Sequence, residues 1–92
     1  MSYYLKDPQS RVDYSVDWSA YLDGQTVAAS LWTVRPQEQG GIAVGESGFD
    51  LTRTSARLEG GVIGHVYTVS NLVTLTDGSR DERSITLRVE QR

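Results

Sequence analysis

The chain has 92 residues, 23% of them charged, a formal net charge of -3 and no cysteine. That length holds one domain around one core, and it buries only about two-thirds of its unfolded surface. Zero cysteines exclude a disulfide scaffold, a thiolate metal site and a cysteine nucleophile; nine scattered Lys and Arg argue against nucleic acid as a partner; no apolar run approaches the roughly 20 residues of a membrane span.

The first segment, "MSYYLKDPQS", lacks the basic start and apolar stretch of a secretion signal. The chain is therefore expected to be made and kept in the cytosol, or assembled there into something larger. Tyr3, Tyr4 and Leu5 form an aromatic, apolar patch ahead of a proline that discourages helix. Residues 1–11 read either as a first edge strand or as an arm that docks on a neighbouring subunit, because Tyr suits places where one end is wet and the other buried. Residues 12–92 read as a single β-sandwich domain.

Alternation then begins. Val12, Tyr14, Val16 and Trp18 fall on one face, and Asp13, Ser15, Asp17 and Ser19 on the other. Asp13 and Asp17 stand roughly 13 Å apart by strand rise, too far for paired glycosidase carboxylates; they keep an outer face wet. After the turn "LDGQT", residues 26–34 are rich in Val, Thr and Trp, yet the apolar positions change face between Leu31 and Trp32, which a bulge or burial on both faces explains. Residues 41–46 make a short strand. The stretch "DLTRTSARL" has strand propensity but little apolar content, which suits an exposed edge strand carrying charge against aggregation.

The glycine-rich corner "EGGVIG" precedes His65, the one histidine. Tyr67, Val69, Val73 and Leu75 share a face with His65 and Asn71, so His65 reads as the first residue of a long strand. A catalytic or metal role needs an orienting acid, a nucleophile or further ligands at usable spacing, and none is apparent. In the last hairpin, a plain two-residue turn at Asp77-Gly78 would put the two apolar rows on opposite sides of the sheet. A three-residue loop with Gly78 left-handed sets Tyr67 beside Leu87 and Val69 beside Ile85. The run "DGSRDER" lacks the ligand order of a calcium loop. It reads as a wet hairpin tip with internal Arg–carboxylate pairs, and Arg80, Asp81 and Arg83 are candidates for contact with a partner, because an arginine fork on a carboxylate fixes orientation. "GGIAVG" and "EGGVIG" lack the Lys-Ser/Thr of a phosphate loop, and no helix follows. No cofactor, metal or catalytic residue is expected.

Short alternating strands without a helical stripe predict an all-β, immunoglobulin-like antiparallel β-sandwich of about six or seven strands with no disulfide. Tyr67 takes the place of the tyrosine whose hydroxyl bonds back to backbone at the corner. Val69 and Val16 stand at the two cysteine positions, facing each other across the sheets, with Trp32 as the central packing residue.

The segments "LKDPQSRVDYSVDWSAYL", "SLWTV" and "LEGGVIGHVYTVSNLVTLTDGSRDERSITLRV" together resemble a family of small immunoglobulin-like virion proteins of tailed phages, the fibre-tail adaptors and neck-region structural proteins. The pieces that carry it are KDP, DYSVDW, a TVxN strand and DERS followed by alternating apolar residues; residues 35–57 add nothing to it. The resemblance implies a non-enzymatic structural part of the virion, assembled in the bacterial host cytoplasm. It implies a station in the neck or tail region linking tail to fibres, and several copies in a symmetric homo-oligomeric ring. The implied partners are other virion proteins (tail tube or connector, and fibre), with no nucleic acid and no membrane. Tyr3, Tyr4, Leu5, Arg80, Asp81 and Arg83 are the candidate contacts. The competing reading is a carbohydrate-binding or adhesive module, which calls for exposed Trp or Tyr; here both Trp residues fall in strands.

Overall fold

The computed structural model describes residues 2–91; the side chains of Ser2 and Tyr3 lie outside that description, and with them the expectation placed on the Tyr3 ring. The strands are β1 (Ser2–Lys6), β2 (Val12–Asp17), β3 (Val27–Arg35), β4 (Ile42–Phe49), β5 (Arg53–Gly60), β6 (Val66–Leu75) and β7 (Arg80–Val89), with one 3-10 turn at Ser19–Tyr21. They form a four-stranded sheet in the order β1-β7-β6-β3 and a three-stranded sheet in the order β2-β5-β4. This is the immunoglobulin-like sandwich that the alternation predicts. One pair departs from the antiparallel rule: β1 runs parallel to β7, Ser2 opposite Ile85 and Lys6 opposite Val89. A parallel pair needs a long connection, and here the whole sandwich is that connection.

The clearest strand is β6, where Tyr67, Val69, Asn71, Val73 and Leu75 are all buried, because successive side chains in a strand point to opposite faces. The strand begins at Val66, so His65 precedes it and is exposed. The last hairpin has the three-residue loop: Leu75 N donates to Ser79 O and Gly78 N to Leu75 O, Gly78 has φ 89°, and Val69 and Tyr67 sit opposite Ile85 and Leu87.

Three expectations are corrected. The "DLTRTSARL" segment supplies the central strand of its sheet and not an edge, because Thr54, Ala56 and Leu58 turn inward while the arginines turn out. The irregularity of β3 falls between Val27 and Ala29 and not at Leu31; it brings Val27 inside, whereas Leu31 is simply exposed. Finally, Val16 and Val69 are not partners. Val16 packs with Trp18, Leu22, Val27, Val73 and Leu75, whereas Val69 packs with Val34, Tyr67, Ile85 and Leu87 toward the other end. Tyr14 and Trp32 lie against both groups, so Trp32 does bridge the core. The level facing Trp18 is taken instead by Asn71, two residues beyond Val69.

Candidate partner-contact surface

The glycine-rich corner is fastened by side chains from three places. Tyr67 accepts a 3.0 Å hydrogen bond from Val62 N on its hydroxyl, which is the corner bond expected of it. The same hydroxyl donates to Glu38 Oε1, and His65 Nδ1 lies 2.8 Å from that oxygen. Glu38 sits in the β3–β4 loop, so one carboxylate ties that loop to the corner. His65 thus has a charged neighbour that its sequence context hides: Glu38 is 27 positions away. The bond from Tyr67, then that from His65, hold the Glu38 carboxyl below its ordinary range. Burial, then the bond to Glu38, push the Tyr67 hydroxyl up. Phenol, imidazole and carboxylate satisfy one another and the backbone, an arrangement that locks a corner.

The N-terminal strand is held by an unusual cation. Lys6 is 1% exposed, and its Nζ donates to the carbonyls of Asp7, Ser10 and Gly60 at 2.8, 2.7 and 2.8 Å. An ammonium has three donors, and all three are used. Burial pulls its pKa below the ordinary value, with Asp7 and then Glu59 pulling the other way. The "KDP" turn is therefore wrapped around its own lysine and pinned to the end of β5.

Around this frame the structure separates the candidate contacts. Tyr4, half-exposed, stands on the edge of the sandwich with its ring 6.0 Å from Tyr14, which is in turn 6.0 Å from Trp32. Leu5, opposite Arg88, points outward from the four-stranded sheet. Arg80 and Asp81 are exposed near the start of β7, opposite Thr74 and Val73. The run from Arg80 to Arg83 is strand and not hairpin tip, and among the described residues no ion pair joins its members. Alternation sets Asp81 on the same face as Arg83, but the Arg83 guanidinium packs on two rings instead. Arg83 lies 4.5 Å from the Tyr21 ring centroid and 5.6 Å from that of Trp18, and it donates to the Tyr21 hydroxyl. An arginine set out as a free fork is thus folded onto two rings.

Sequence reasoning missed Val12, Tyr14 and Leu58 as surface-shaping residues. They line a groove of about 260 Å³ between β1 and β2, with Tyr4, Lys6, Ile85 and Leu87. Alternation names Val12 and Tyr14 as inward residues of β2, but that they border a groove depends on where β1 and β7 lie. Another concavity, about 460 Å³, lies on the outer face of the three-stranded sheet, edged by Asp13, Glu46 and Arg57. Asp13 is bonded there to Arg57 at 3.0 Å.

The solution structure of the PKD domain from the KIAA 1837 protein shares this fold, with a TM-score of 0.60 and 15% identity over 99% of this chain and 80% of that one. At that identity the likeness is one of architecture. No curated protein matches the chain. A family model does: that of the podophage GP4 fiber-tail adaptor protein gp77 matches residues 6–88, from the clamped lysine that ends β1 almost to the end of β7. By that match the chain belongs to the fibre-tail adaptor family of podophages.

Proposed function

We propose that this protein joins the tail of a phage particle to its fibres as a non-enzymatic part, present in several copies arranged as a symmetric ring in the neck or tail region and assembled in the bacterial host cytoplasm. The observation that carries the reading is the family match over residues 6–88. The geometry is in keeping with it. The groups with chemical potential, Lys6, Glu38, His65 and Tyr67, are bonded into turns and corners. What remains free is surface: strand edges, an apolar groove and two sheet faces. A small sandwich of this kind serves by being gripped. A carbohydrate-binding reading calls for exposed Trp or Tyr: Trp18 is 1% exposed and Trp32 packs on both halves of the core, while the exposed Tyr4 and Tyr21 have their rings against Tyr14 and Trp18.

The test is genetic and structural together. Particles made without this protein are expected to carry tails but no fibres, and density for complete particles is expected to show the sandwich between the two in a ring. Fully fibred particles lacking the protein would overturn the proposal.

A further inference from the structure

The sandwich treats its two lateral sides differently. On one side β3 and β4 pack against each other, and both are bulged, between Val27 and Ala29 and between Val44 and Ser47. Bulges are among the devices that keep exposed edges from pairing with other chains. On the other side β1 and β2 are paired inward without a register shift, residues 2–6 on β7 and 12–17 on β5. Each is the outer strand of its sheet, so each presents unpaired backbone groups outward. Neither edge is irregular.

Between these two edges runs the groove, about 260 Å³, floored by Leu58, Ile85 and Leu87 and lipped by Tyr4, Val12 and Tyr14. Tyr4 is 44% and Val12 38% exposed. Small-molecule sites usually begin at about 300 Å³, so this space suits one or two side chains of a longer segment. Its charges are nearly all consumed. The Lys6 ammonium is bonded to three carbonyls, and Asp13 is paired with Arg57.

One charge is left over. Arg83 lies two residues along β7 from Ile85, roughly 6–7 Å by strand rise, and its field reaches the Tyr14 hydroxyl on the lip. Its side chain is exposed, held in place by Tyr21 and Trp18, and among the described residues it has no carboxylate within ion-pair distance. A guanidinium already fixed by ring stacking loses little further freedom when a carboxylate arrives.

We propose that the β1–β2 groove receives an extended segment of a partner protein, added as a strand to the free edge of β2, which seats an apolar side chain over Ile85 and Leu87 and, two residues on, a carboxylate on Arg83. Strand addition supplies main-chain hydrogen bonds, and pockets for alternate side chains supply the choice of partner. Two residues is the same-face repeat of a strand, so both anchors come from one side of the incoming segment. A guanidinium without an ion pair among the described residues, at one end of an otherwise apolar groove, is what makes the segment acidic. That the partner is a virion protein rests on the adaptor reading; the groove's preference does not.

The test uses the full chain, labelled with 15N, and a capped peptide with the core Thr-Leu-Thr-Glu-Thr beside a control in which Lys replaces Glu. The Glu peptide is expected to shift the amides of β1 and β2, and the Lys peptide to bind at least tenfold more weakly. Arg83→Gln is expected to remove that difference, and Val12→Lys, a change on an exposed lip, to abolish binding by both while leaving the rest of the spectrum intact. Shifts confined to the outer sheet faces, equal binding of the two peptides to the unaltered protein, or no shift at all would overturn the proposal. Particles carrying Val12→Lys separate the two readings: loss of fibres supports the groove, whereas full fibres on such particles, with none on particles lacking the protein, sink the groove and leave the adaptor role standing.

Discussion

Trp18 and Asn71 face each other across the two sheets, with the indole Nε1 of Trp18 3.2 Å from Asn71 Oδ1. Thr54 joins them: it accepts from the indole at 3.1 Å and donates to the same amide oxygen at 2.7 Å. The amide nitrogen of Asn71 donates in turn to Ser30 Oγ at 2.8 Å and to Leu31 O. Trp18, Thr54 and Asn71 are each almost wholly buried. In a sandwich without cysteine, this network ties the two layers together, two residues beyond the Val16 and Val69 positions at which immunoglobulin domains put their disulfide.

Removing the centre of such a network strands its partners, and each buried polar group left unpaired costs about 1–3 kcal/mol. Asn71→Ala is expected to destabilise the fold by about 3–4 kcal/mol, adding a lost side chain to stranded Thr54 and Ser30 hydroxyls. Thr54→Val leaves the Trp18–Asn71 bond in place and is expected to cost only about 1–2 kcal/mol. Urea denaturation of both variants checks the order. Equal losses would mean that Asn71 acts only as packing.

The two tryptophans give a sharper contrast. Trp18 Nε1 has two acceptors, whereas Trp32 Nε1 is buried with no hydrogen-bond partner among the described residues. Replacing either indole by phenyl leaves a cavity, but at position 32 it also removes an orphaned donor. Trp18→Phe is expected to cost more than Trp32→Phe by about 2 kcal/mol, read from denaturation midpoints at a common slope. If the two variants unfold together, the Trp18 bonds contribute nothing net.

Much of this was visible in the alternation of residues and some was beyond it. Period two in Val12 to Val16, Tyr67 to Leu75 and Ile85 to Val89 named the strands and their inward faces, because local pleat geometry is written locally. The Gly78 loop followed from matching two such rows. What sequence order hides is long-range company. Nothing near His65 in the chain announces Glu38, and Asn71 reads as a polar interruption until Trp18 and Thr54 arrive from the other sheet. Arg83 looked like part of a charged tip because its neighbours are charged, yet alternation sends it to the side where Trp18 and Tyr21 wait. The poor apolar content of Thr54 and Ala56 pointed to an edge, whereas Thr54 is buried with its hydroxyl bonded to Trp18 and Asn71.

Glu38 makes the corner sensitive to acid in a direction that follows from its bonds. Its carboxyl is held below the ordinary value of 4.5, first by Tyr67 and then by His65. A carboxyl with a depressed folded pKa contributes stability that is complete above the unfolded value and lost as pH falls through the folded one. Glu38→Gln keeps an acceptor for the Tyr67 hydroxyl but discards the charge. The variant is expected to be less stable than the parent near neutral pH, with the gap narrowing below about pH 4.5 and closing once the parent's carboxyl is protonated. Thermal unfolding across pH 3 to 7 measures the gap; a difference that stays constant through that range would show that the charge is not the source.

The final expectation concerns the two glycines whose surroundings differ most. Gly61 has φ 113°, and a Cβ there would come within 2.5 Å of Val89 Cγ2. Val89 is fully buried, so the methyl has nowhere to go without moving the end of β7. Gly78 has φ 89°, and a Cβ there would meet nothing within 4 Å. Backbone strain is common to both, at about 1–2 kcal/mol for an alanine forced into positive φ, while overpacking adds about 1–3 kcal/mol at Gly61 alone. Gly61→Ala is therefore expected to lose about 3–4 kcal/mol, a large share of the roughly 5–14 kcal/mol available to a chain of this size. Gly78→Ala is expected to lose about 1–2 kcal/mol and to keep the hairpin register. Side-by-side chemical denaturation separates them, and an amide spectrum of Gly78→Ala that preserves the shifts of Tyr67 and Leu87 verifies the register. A Gly61→Ala protein as stable as the Gly78→Ala one would mean that the corner moves freely against β7, which its bonds from Gly64 N and Val89 N to the carbonyls of Val89 and His65, at 2.7 and 3.0 Å, oppose.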